Sequence, residues 1–307
     1  MEHIYDILII GGGPAGYTSA LYASRAGFDT AIVERMSVGG QMMLTDIIDN
    51  YPGFAQGVDG FTLSQNMQQQ AERFGAKTLY DEVVAVDFSS EIKEMETAFS
   101  GKLFAKVVII ATGANPRELG LENEQELLSQ GVHYCAHCDG RFYKDKEVVV
   151  VGGGNSAVSD ALYLSHLCKK VYLVHRRDVL RATKIYHDPV KKAENIEFCY
   201  NSVLSKIDTD NQRISSATLI NTKTNEKREV KCDGVFISIG RKPATEFLQG
   251  VIELDDNGYI VADETTKTSV CGVFAVGDVR TKILRQVVTA VSDGAVAVHF
   301  AEEYLSN

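Results

Sequence analysis

One pattern occurs twice in this chain, and its recurrence constrains the fold more than any other feature. Ile4–Ile10 is a near-continuous apolar run that reads as a buried parallel strand. Gly11-Gly12-Gly13-Pro14-Ala15-Gly16 follows, then a helical stretch to about Ala26, then a strand over residues 30–33 that ends at Glu34. Residues 147–151 open the second copy, with Gly152-Gly153-Gly154-Asn155-Ser156-Ala157 as its turn. Its helix runs to about Leu167, and its second strand, over residues 171–174, ends at His175. In each copy 23 positions separate the first glycine from the residue that ends the second strand. An equal offset marks a duplicated β-α-β unit, so the predicted fold class is α/β.

Between the copies the sequence predicts a helix over residues 60–74, short alternating strands over 78–104, and an apolar strand over 107–111 ending in Ala111-Thr112-Gly113. Beyond the second copy come short strands over 196–229 and a strand over 234–239 that leads into Gly240-Arg241-Lys242-Pro243. A late strand over 273–276 ends in Gly277-Asp278, and a final helix covers about 285–304. At 307 residues the chain has room for two domains of about 150 residues each. The simplest assembly inserts one domain in another: residues 1–115 with 245–307, and residues 116–244 inserted between them. Pro116 and Pro243 lie near the two crossings, where short stiff linkers suit a hinge. The alternative is one rigid unit whose prolines are ordinary turn residues.

Bulk properties narrow the function classes. A net charge of −10 argues against a broad nucleic-acid surface, which needs clustered Lys and Arg, though a local basic pocket is compatible with it. No apolar run approaches the roughly 18 residues of a membrane span. The N-terminal apolar run has no basic region ahead of it and leads straight into glycines, so it does not read as a secretory signal, and a cytoplasmic protein is expected. Six cysteines are too few for a disulfide framework. Cys168, Cys199, Cys232 and Cys271 each stand alone beside apolar or strand-like neighbours and are expected to be small buried hydrophobes.

In a G-x-G-x-x-G turn the first glycine permits the tight bend, the second lets a pyrophosphate approach the backbone, and the third lets helix and strand pack closely. The helix N-terminus then offers free N–H groups to the phosphates. Both copies have the strand–turn–helix–strand context that makes the motif specific, so two dinucleotide sites are expected. The residue that closes the second strand separates them. Glu34 can accept hydrogen bonds from ribose hydroxyls, which suits an unphosphorylated adenosine ribose. The second copy has no acid there but His175-Arg176-Arg177, with Arg181 four residues further on. Guanidiniums bind a 2′-phosphate through paired charged hydrogen bonds, so this site should prefer NADP(H) to NAD(H); the bland alternative is a solvated basic patch. Gly39-Gly40-Gln41 and Ala111-Thr112-Gly113 supply small residues and amides where a flat ring and ribityl chain can lie. Gly277-Asp278 ends a strand with a carboxylate suited to a polyol hydroxyl, and FAD is the nucleotide expected in the first site.

Cys135-Ala136-His137-Cys138-Asp139 lies a few residues ahead of the second copy. In a reducing compartment an isolated C-x-x-C is catalytic or metal-binding rather than structural. His133, Cys135, His137 and Cys138 are metal-ligand types, but a structural zinc site needs a second ligand pair at a set spacing and the sequence offers none, so redox chemistry without a metal is the reading. A protonated His137 can stabilise a thiolate, or His137 is an inert spacer. A carboxylic acid at Asp139 can protonate a leaving thiolate.

In order and spacing these residues closely resemble the low-molecular-weight, bacterial-type thioredoxin reductases over essentially the full chain. The similarity rests on Gly11 to Gly16, Gly39-Gly40-Gln41, Ala111-Thr112-Gly113, Cys135 to Gly140, Gly152 to Ala157, His175-Arg176-Arg177 with Arg181, Gly277-Asp278 and Arg285-Gln286. It implies a fold of the class II pyridine nucleotide-disulfide oxidoreductase type, with two Rossmann-like three-layer domains. The inserted NADPH-binding domain would carry the redox-active disulfide. FAD would be held by Gly11, Gly13, Pro14, Ala15, Gly16, Glu34, Gly40, Gln41, Asn50, Val83, Ala111, Thr112, Gly113, Gly277, Asp278, Arg285, Gln286 and Val287. NADPH would be held by Gly152, Gly154, Asn155, Ser156, His175, Arg176, Arg177, Arg181 and Arg241. Cys138 would exchange electrons with the flavin, Cys135 would attack the disulfide of thioredoxin, Asp139 would be the acid, and the protein would be a homodimer. Because the thiols and the nicotinamide need the same flavin, the resemblance further implies that the inserted domain rotates about its crossings between half-reactions.

Two departures bear on this. His137 fills a spacer position that the family usually gives to a small or β-branched residue, and Arg141 stands where an apolar residue is usual. Phe142 and Tyr143 remain as an apolar docking edge for thioredoxin, or as packing beneath the next strand. Rival readings are a reductase for a peroxiredoxin or glutaredoxin-like partner, a non-catalytic nucleotide-binding redox sensor, and a ferredoxin-fed reductase. The basic cluster at His175-Arg176-Arg177 argues against the last.

Overall fold

The structure, a computed structural model, describes residues 3–35, 38–44, 47–211 and 213–306. The chain runs β1 (Ile4–Ile10), α1 (Pro14–Arg25), β2 (Thr30–Glu34), α2 (Gly60–Glu72), β3 (Lys77–Tyr80), β4 (Val83–Asp87), β5 (Lys93–Thr97) and β6 (Gly101–Ile110). It continues through β7 (Ala114–Pro116), β8 (Val132–His133), α3 (Ala136–Asp139), β9 (Glu147–Val151), α4 (Asn155–Ser165), β10 (Lys170–His175) and α5 (His187–Lys192). The remainder is β11 (Ile196–Tyr200), β12 (Ser202–Asp210), β13 (Arg213–Asn221), β14 (Lys227–Lys231), β15 (Gly234–Ile237), β16 (Arg241–Pro243), β17 (Val273–Ala275) and α6 (Val287–Ser306). The chain divides into two compact units, Met1–Asn115 with Lys242–Asn307, and Pro116–Arg241.

In the first unit β3, β2, β1 and β6 pair in that order, all parallel. The ten-residue β6 divides its partners along its length. Its C-terminal end pairs with β17, parallel, through Val108, Ile109 and Ile110. Its N-terminal half pairs antiparallel with β5, which pairs in turn with β4. Ile7, Ile9, Val107 and Ile109 face one way and pack against Tyr17, Ala20 and Ala23 of α1 and Ala297 and Val298 of α6. Leu8, Ile10, Val108 and Ile110 face the other way, against Phe88, Met95, Ile260 and Val279. Burial on both faces is why β1 and the end of β6 read as unbroken apolar runs rather than alternating ones. Each such side chain contributes about 1.5–3 kcal/mol when fully buried, which holds the strands that carry the glycine turn in place.

The second unit repeats this order with β11, β10, β9, β15 and β8, all parallel. Strand β9 stands in the place of β1, β10 of β2, β15 of β6, and β8 of β17. The connectivity differs in one respect: β8 precedes its glycine turn in sequence, whereas β17 comes long after its own. An antiparallel meander of β12, β13 and β14 covers one face, with Leu204, Ile207, Ala217 and Leu219 against Val149, Val151 and Val174. Helices α3 and α4 cover the other, with Ala136, Ala157, Ala161 and Leu164 against Val148, Val150, Leu173 and Phe236.

The expected α/β class holds, and three details differ from expectation. The chain returns to the first unit at Lys242, not at residue 245. Ala244 N–H donates to Gly113 O (3.1 Å) and Thr112 Oγ1 donates to Ala244 O (2.8 Å), which ties the returning segment to the end of β6. Helix α6 begins at Val287 because Thr289 Oγ1 accepts from Gln286 N–H (3.1 Å), an N-terminal capping bond that leaves Arg285 outside the helix. Cys271, expected to be buried, is exposed, since it precedes Gly272 (φ +74°) in the turn that enters β17. No helix among the described residues is long and apolar enough to cross a membrane.

Candidate functional site

At the first glycine turn, Gly11 has φ +106° and a Cβ there would lie 2.6 Å from Ala111 O. A Cβ on Gly16 would fall 1.9 Å from Gly11 O, so α1 sits directly on the turn. Gly13 is the N-cap of α1 and makes no side-chain cap; a Cβ on it would meet nothing within 4 Å. The turn is therefore closed on the protein side and open where backbone N–H groups could meet a phosphate. Pro14 at the first helical position and Ala15 complete it. Gly39 N–H donates to Gly12 O (2.8 Å), which brings Gly40 against Gly13. Glu34 Oε2 accepts from Gly12 N–H at 2.6 Å, so the acid closing β2 already faces the turn. Ala111 N–H donates to Ile10 O (2.8 Å), placing Ala111-Thr112-Gly113 beside it.

The distant segments expected at this site also meet. Asn50 Nδ2 donates to Gln286 Oε1 at 2.9 Å, and Gln41 Nε2 to Asn115 Oδ1 at 3.3 Å. Arg285 Nε donates to Asp278 O (3.3 Å), with its guanidinium 4.1 Å from the Tyr259 ring centroid. Val83 starts β4 with its side chain in the core, so only its backbone is available to a ligand.

The one functional element here that the sequence reading did not single out is Asp293. Its carboxylate accepts from Gly277 N–H (2.8 Å), from Arg280 Nε and Nη2 (both 2.9 Å) and from Lys282 Nζ (2.7 Å), and so fixes the Gly277-Asp278 corner to α6. A lone acid inside the otherwise uncharged segment ahead of Gly294 was the available signal.

The second turn has the same construction with different chemistry. Gly152 has φ +148°, and a Cβ on it would lie 2.4 Å from Ser238 O; Gly154, the N-cap of α4, is open like Gly13. A Cβ on Gly153 would fall 2.3 Å from His175 Nδ1, so the imidazole of His175 lies flat against the turn. His175 is only 4% exposed, and its Nε2 has no hydrogen-bond partner among the described residues. Burial first, then the charges of Arg181, Arg176 and Arg177, holds it below the ordinary histidine range. His175 therefore contributes a neutral ring, and the cations are the three arginines. Arg181 and Ala182 N–H both donate to Gly153 O (2.7 and 3.1 Å), and Thr183 N–H donates to Asn155 Oδ1 (2.8 Å), which folds the arginine loop back onto the turn. Arg176, Arg177 and Arg181 are exposed, and Asp178, the acid in their loop, is paired with Lys223 (3.0 Å). Ser156 is exposed in the first turn of α4, and Arg241 opens β16. An open N-cap, an orphaned buried imidazole nitrogen and three clustered guanidiniums fit a phosphorylated nucleotide.

In the same unit Cys135 and Cys138 form a disulfide with a Cα–Cα distance of 5.3 Å. The N–H groups of Cys138 and Asp139 both donate to Cys135 O (3.2 and 3.1 Å), which winds α3 between the sulfurs. Asp139 Oδ2 lies 3.2 Å from His133 Nδ1, and His133 Nε2 lies 2.7 Å from the Tyr143 hydroxyl. His133 is thus engaged at both ring nitrogens, and two of the four metal-ligand types are bonded to each other. His137 is exposed and rests on Tyr163 of α4, ring centroids 4.2 Å apart. Asp160, also on α4, accepts from Ser238 Oγ at 2.5 Å, and burial raises its carboxyl above the ordinary range. Burial pushes the thiols of Cys168 and Cys199 up to about 11 and that of Cys232 to about 12, which keeps them protonated and unreactive. The Phe142–Tyr143 edge divides: Tyr143 is buried against Gly234 and Phe236, and only Phe142, 43% exposed, remains available for docking.

Comparison with known proteins agrees with this geometry. A family described as pyridine nucleotide-disulphide oxidoreductase matches residues 5–294. The thioredoxin reductase of Peptoclostridium litorale is 45% identical over 311 residues, covering 99% of this chain and 98% of that protein. That of Listeria monocytogenes is 46% identical over 304 residues, covering 99% and 95%. The crystal structure of thioredoxin reductase from Streptococcus pyogenes is 42% identical, covers 100% of this chain and 99% of that one, and superposes with a TM-score of 0.91.

Proposed function

The chain belongs to the pyridine nucleotide-disulphide oxidoreductases, among the thioredoxin reductases, and from that premise we propose how its residues carry the reaction. It is an NADPH-dependent flavoenzyme that reduces the disulfide of thioredoxin through the Cys135–Cys138 pair. FAD, when bound, supplies a two-electron carrier between the nicotinamide and that pair. The residues around Gly11, Glu34, Gly40, Ala111 and Gly277 hold FAD. The residues around Gly152, with Arg176, Arg177 and Arg181, hold the phosphates of NADPH. With FAD bound, Cys138 would be the sulfur on the flavin side, Cys135 would attack the target disulfide, and Asp139 would supply the proton. The inserted unit turns about its two crossings between half-reactions. The observation that carries this reading is a disulfide built into the unit whose glycine turn faces three arginines, in a chain whose other turn faces an acid.

The working form is a cytoplasmic homodimer. The dimer rests on the family resemblance. The compartment rests on four unpaired cysteines, which suit a reducing environment. The test of the whole reading is anaerobic addition of NADPH to the purified holoenzyme, followed by oxidised thioredoxin. The flavin colour should bleach with the first and return with the second. Bleaching that thioredoxin leaves unreversed, but that a peroxiredoxin or glutaredoxin-like disulfide reverses, would transfer the assignment to that partner. No bleaching at all would favour a sensor.

A further inference from the structure

Beside the thiol pair three side chains are linked in a row, the buried Tyr143 and His133 and the partly exposed Asp139. His133 is 5% exposed and Tyr143 7%. The imidazole is stacked on Phe236, centroids 5.2 Å apart, and Tyr143 is wedged edge-on against the same ring at 5.3 Å. A Cβ on Gly234 would fall 2.3 Å from the Tyr143 ring, so the glycine in β15 makes the space that the tyrosine fills. Burial keeps the Tyr143 hydroxyl protonated. With His133 Nδ1–H donating to Asp139 Oδ2 (3.2 Å), the Nε2 of a neutral ring accepts from the Tyr143 hydroxyl (2.7 Å).

We propose that His133 is the positioning residue for the acid of this reaction: it fixes the Asp139 carboxyl by one oxygen and leaves the other to carry the exchanged proton. The proposal rests on the reading of Asp139 as that acid. In the exchange, the Cys135 thiolate forms a bond to one sulfur of the target, the target S–S bond breaks, and the departing sulfur takes the proton held on Asp139. Cys138 then returns its own proton to Asp139 as its sulfur closes the Cys135–Cys138 bond. The second target sulfur is displaced and takes a proton from solvent, replacing the one that Cys135 had released there. Two electrons leave the dithiol and reduce the target. An acid in this role matters most when the departing thiolate is strongly basic, because a weakly basic thiolate leaves without help.

The experiment uses pre-reduced holoenzyme, with thiol oxidation followed in a stopped-flow instrument against two probes. Hydroxyethyl disulfide has a basic aliphatic leaving thiolate, and 5,5′-dithiobis(2-nitrobenzoic acid) has a weakly basic aromatic one. His133→Leu keeps an apolar side chain on Phe236 but has no donor, and should slow the aliphatic reaction by about tenfold or more while changing the aromatic one less than about twofold. His133→Asn, whose amide N–H stands near the Nδ1 position, should recover most of the loss. In the Asp139→Asn background His133→Leu should have no further effect, as expected of residues acting as a unit. Equal slowing with both probes, or additive losses in the double variant, would overturn the positioning role. An unaffected Asp139→Asn would instead overturn the reading of Asp139 as acid, so the two failures are distinguishable. Flavin content measured on each variant separates loss of folding from loss of exchange.

Discussion

An arginine left exposed beside a helix N-terminus keeps its reach until an anion arrives, and the loop after β10 carries three such residues and is tied to Gly153 through the backbone of Arg181 and Ala182. Charged hydrogen bonds of the kind a 2′-phosphate would accept are worth about 1.5–3 kcal/mol. Arg177→Ala should therefore lower kcat/KM for NADPH by roughly 10- to 100-fold and leave that for NADH nearly unchanged. Steady-state kinetics with both nucleotides check this, and an unaltered NADPH/NADH preference would remove Arg177 from the phosphate site. At this scale the cysteine pair and the clustering of the arginines were legible, because both are patterns of local spacing. The task of His175 was not. Its ring lies under Gly153 only because two residues 22 positions apart in sequence meet across the turn, and its low charge follows from burial that no local pattern encodes. The same holds for His133, whose partners Asp139 and Tyr143 arrive from separate turns of the chain.

Secondary elements with strong periodicity were legible, and the corners that join them were less so. Helix α6 was expected over about 285–304, but the acid on its buried face acts on a loop and not on the helix. Asp293 binds Gly277 N–H, Arg280 and Lys282, and its side chain is 8% exposed. Burial alone would raise its carboxyl, but the hydrogen bonds from Arg280 and Lys282 outweigh that and hold it below the usual aspartate range. A depressed carboxyl contributes stability that is complete above the unfolded value near ~3.9 and is lost as pH falls through the lower folded value. Asp293→Asn leaves two buried cations without their counter-charge, a change that costs about 3–5 kcal/mol in buried pairs. The variant should unfold at lower denaturant concentration at neutral pH, bind FAD more weakly through the loosened Gly277-Asp278 corner, and differ less from the parent in acid. A gap between variant and parent that stays constant from pH 7 to pH 2 would show that the carboxylate charge is not what stabilises the corner.

The duplicated unit made a two-part chain legible at the scale of the whole molecule, since two equal offsets point to two copies of one fold. The strand order was not legible, because β15 enters between β9 and β8 through pairings far apart in sequence. The position of the return crossing also depended on tertiary bonds, those of Ala244 with Gly113 and Thr112. They fix the segment after Lys242 to the first unit. Any bending between the units must therefore fall at the crossings themselves, near Asn115–Pro116 and Arg241–Lys242. The reaction places a demand on those few bonds. In the proposed reaction one flavin must receive electrons from a nicotinamide and return them to a disulfide; the disulfide lies in the inserted unit, and the proposed nicotinamide nucleotide site lies there too. If rotation at the crossings meets the demand, an engineered covalent cross-link between the units should leave FAD content unchanged and abolish steady-state turnover with NADPH and thioredoxin. Cleaving the cross-link should restore the rate. Cross-linked enzyme that cycles at the full rate would mean that the nicotinamide and the disulfide reach the flavin without rotation, and the crossings would then be ordinary connections rather than a hinge.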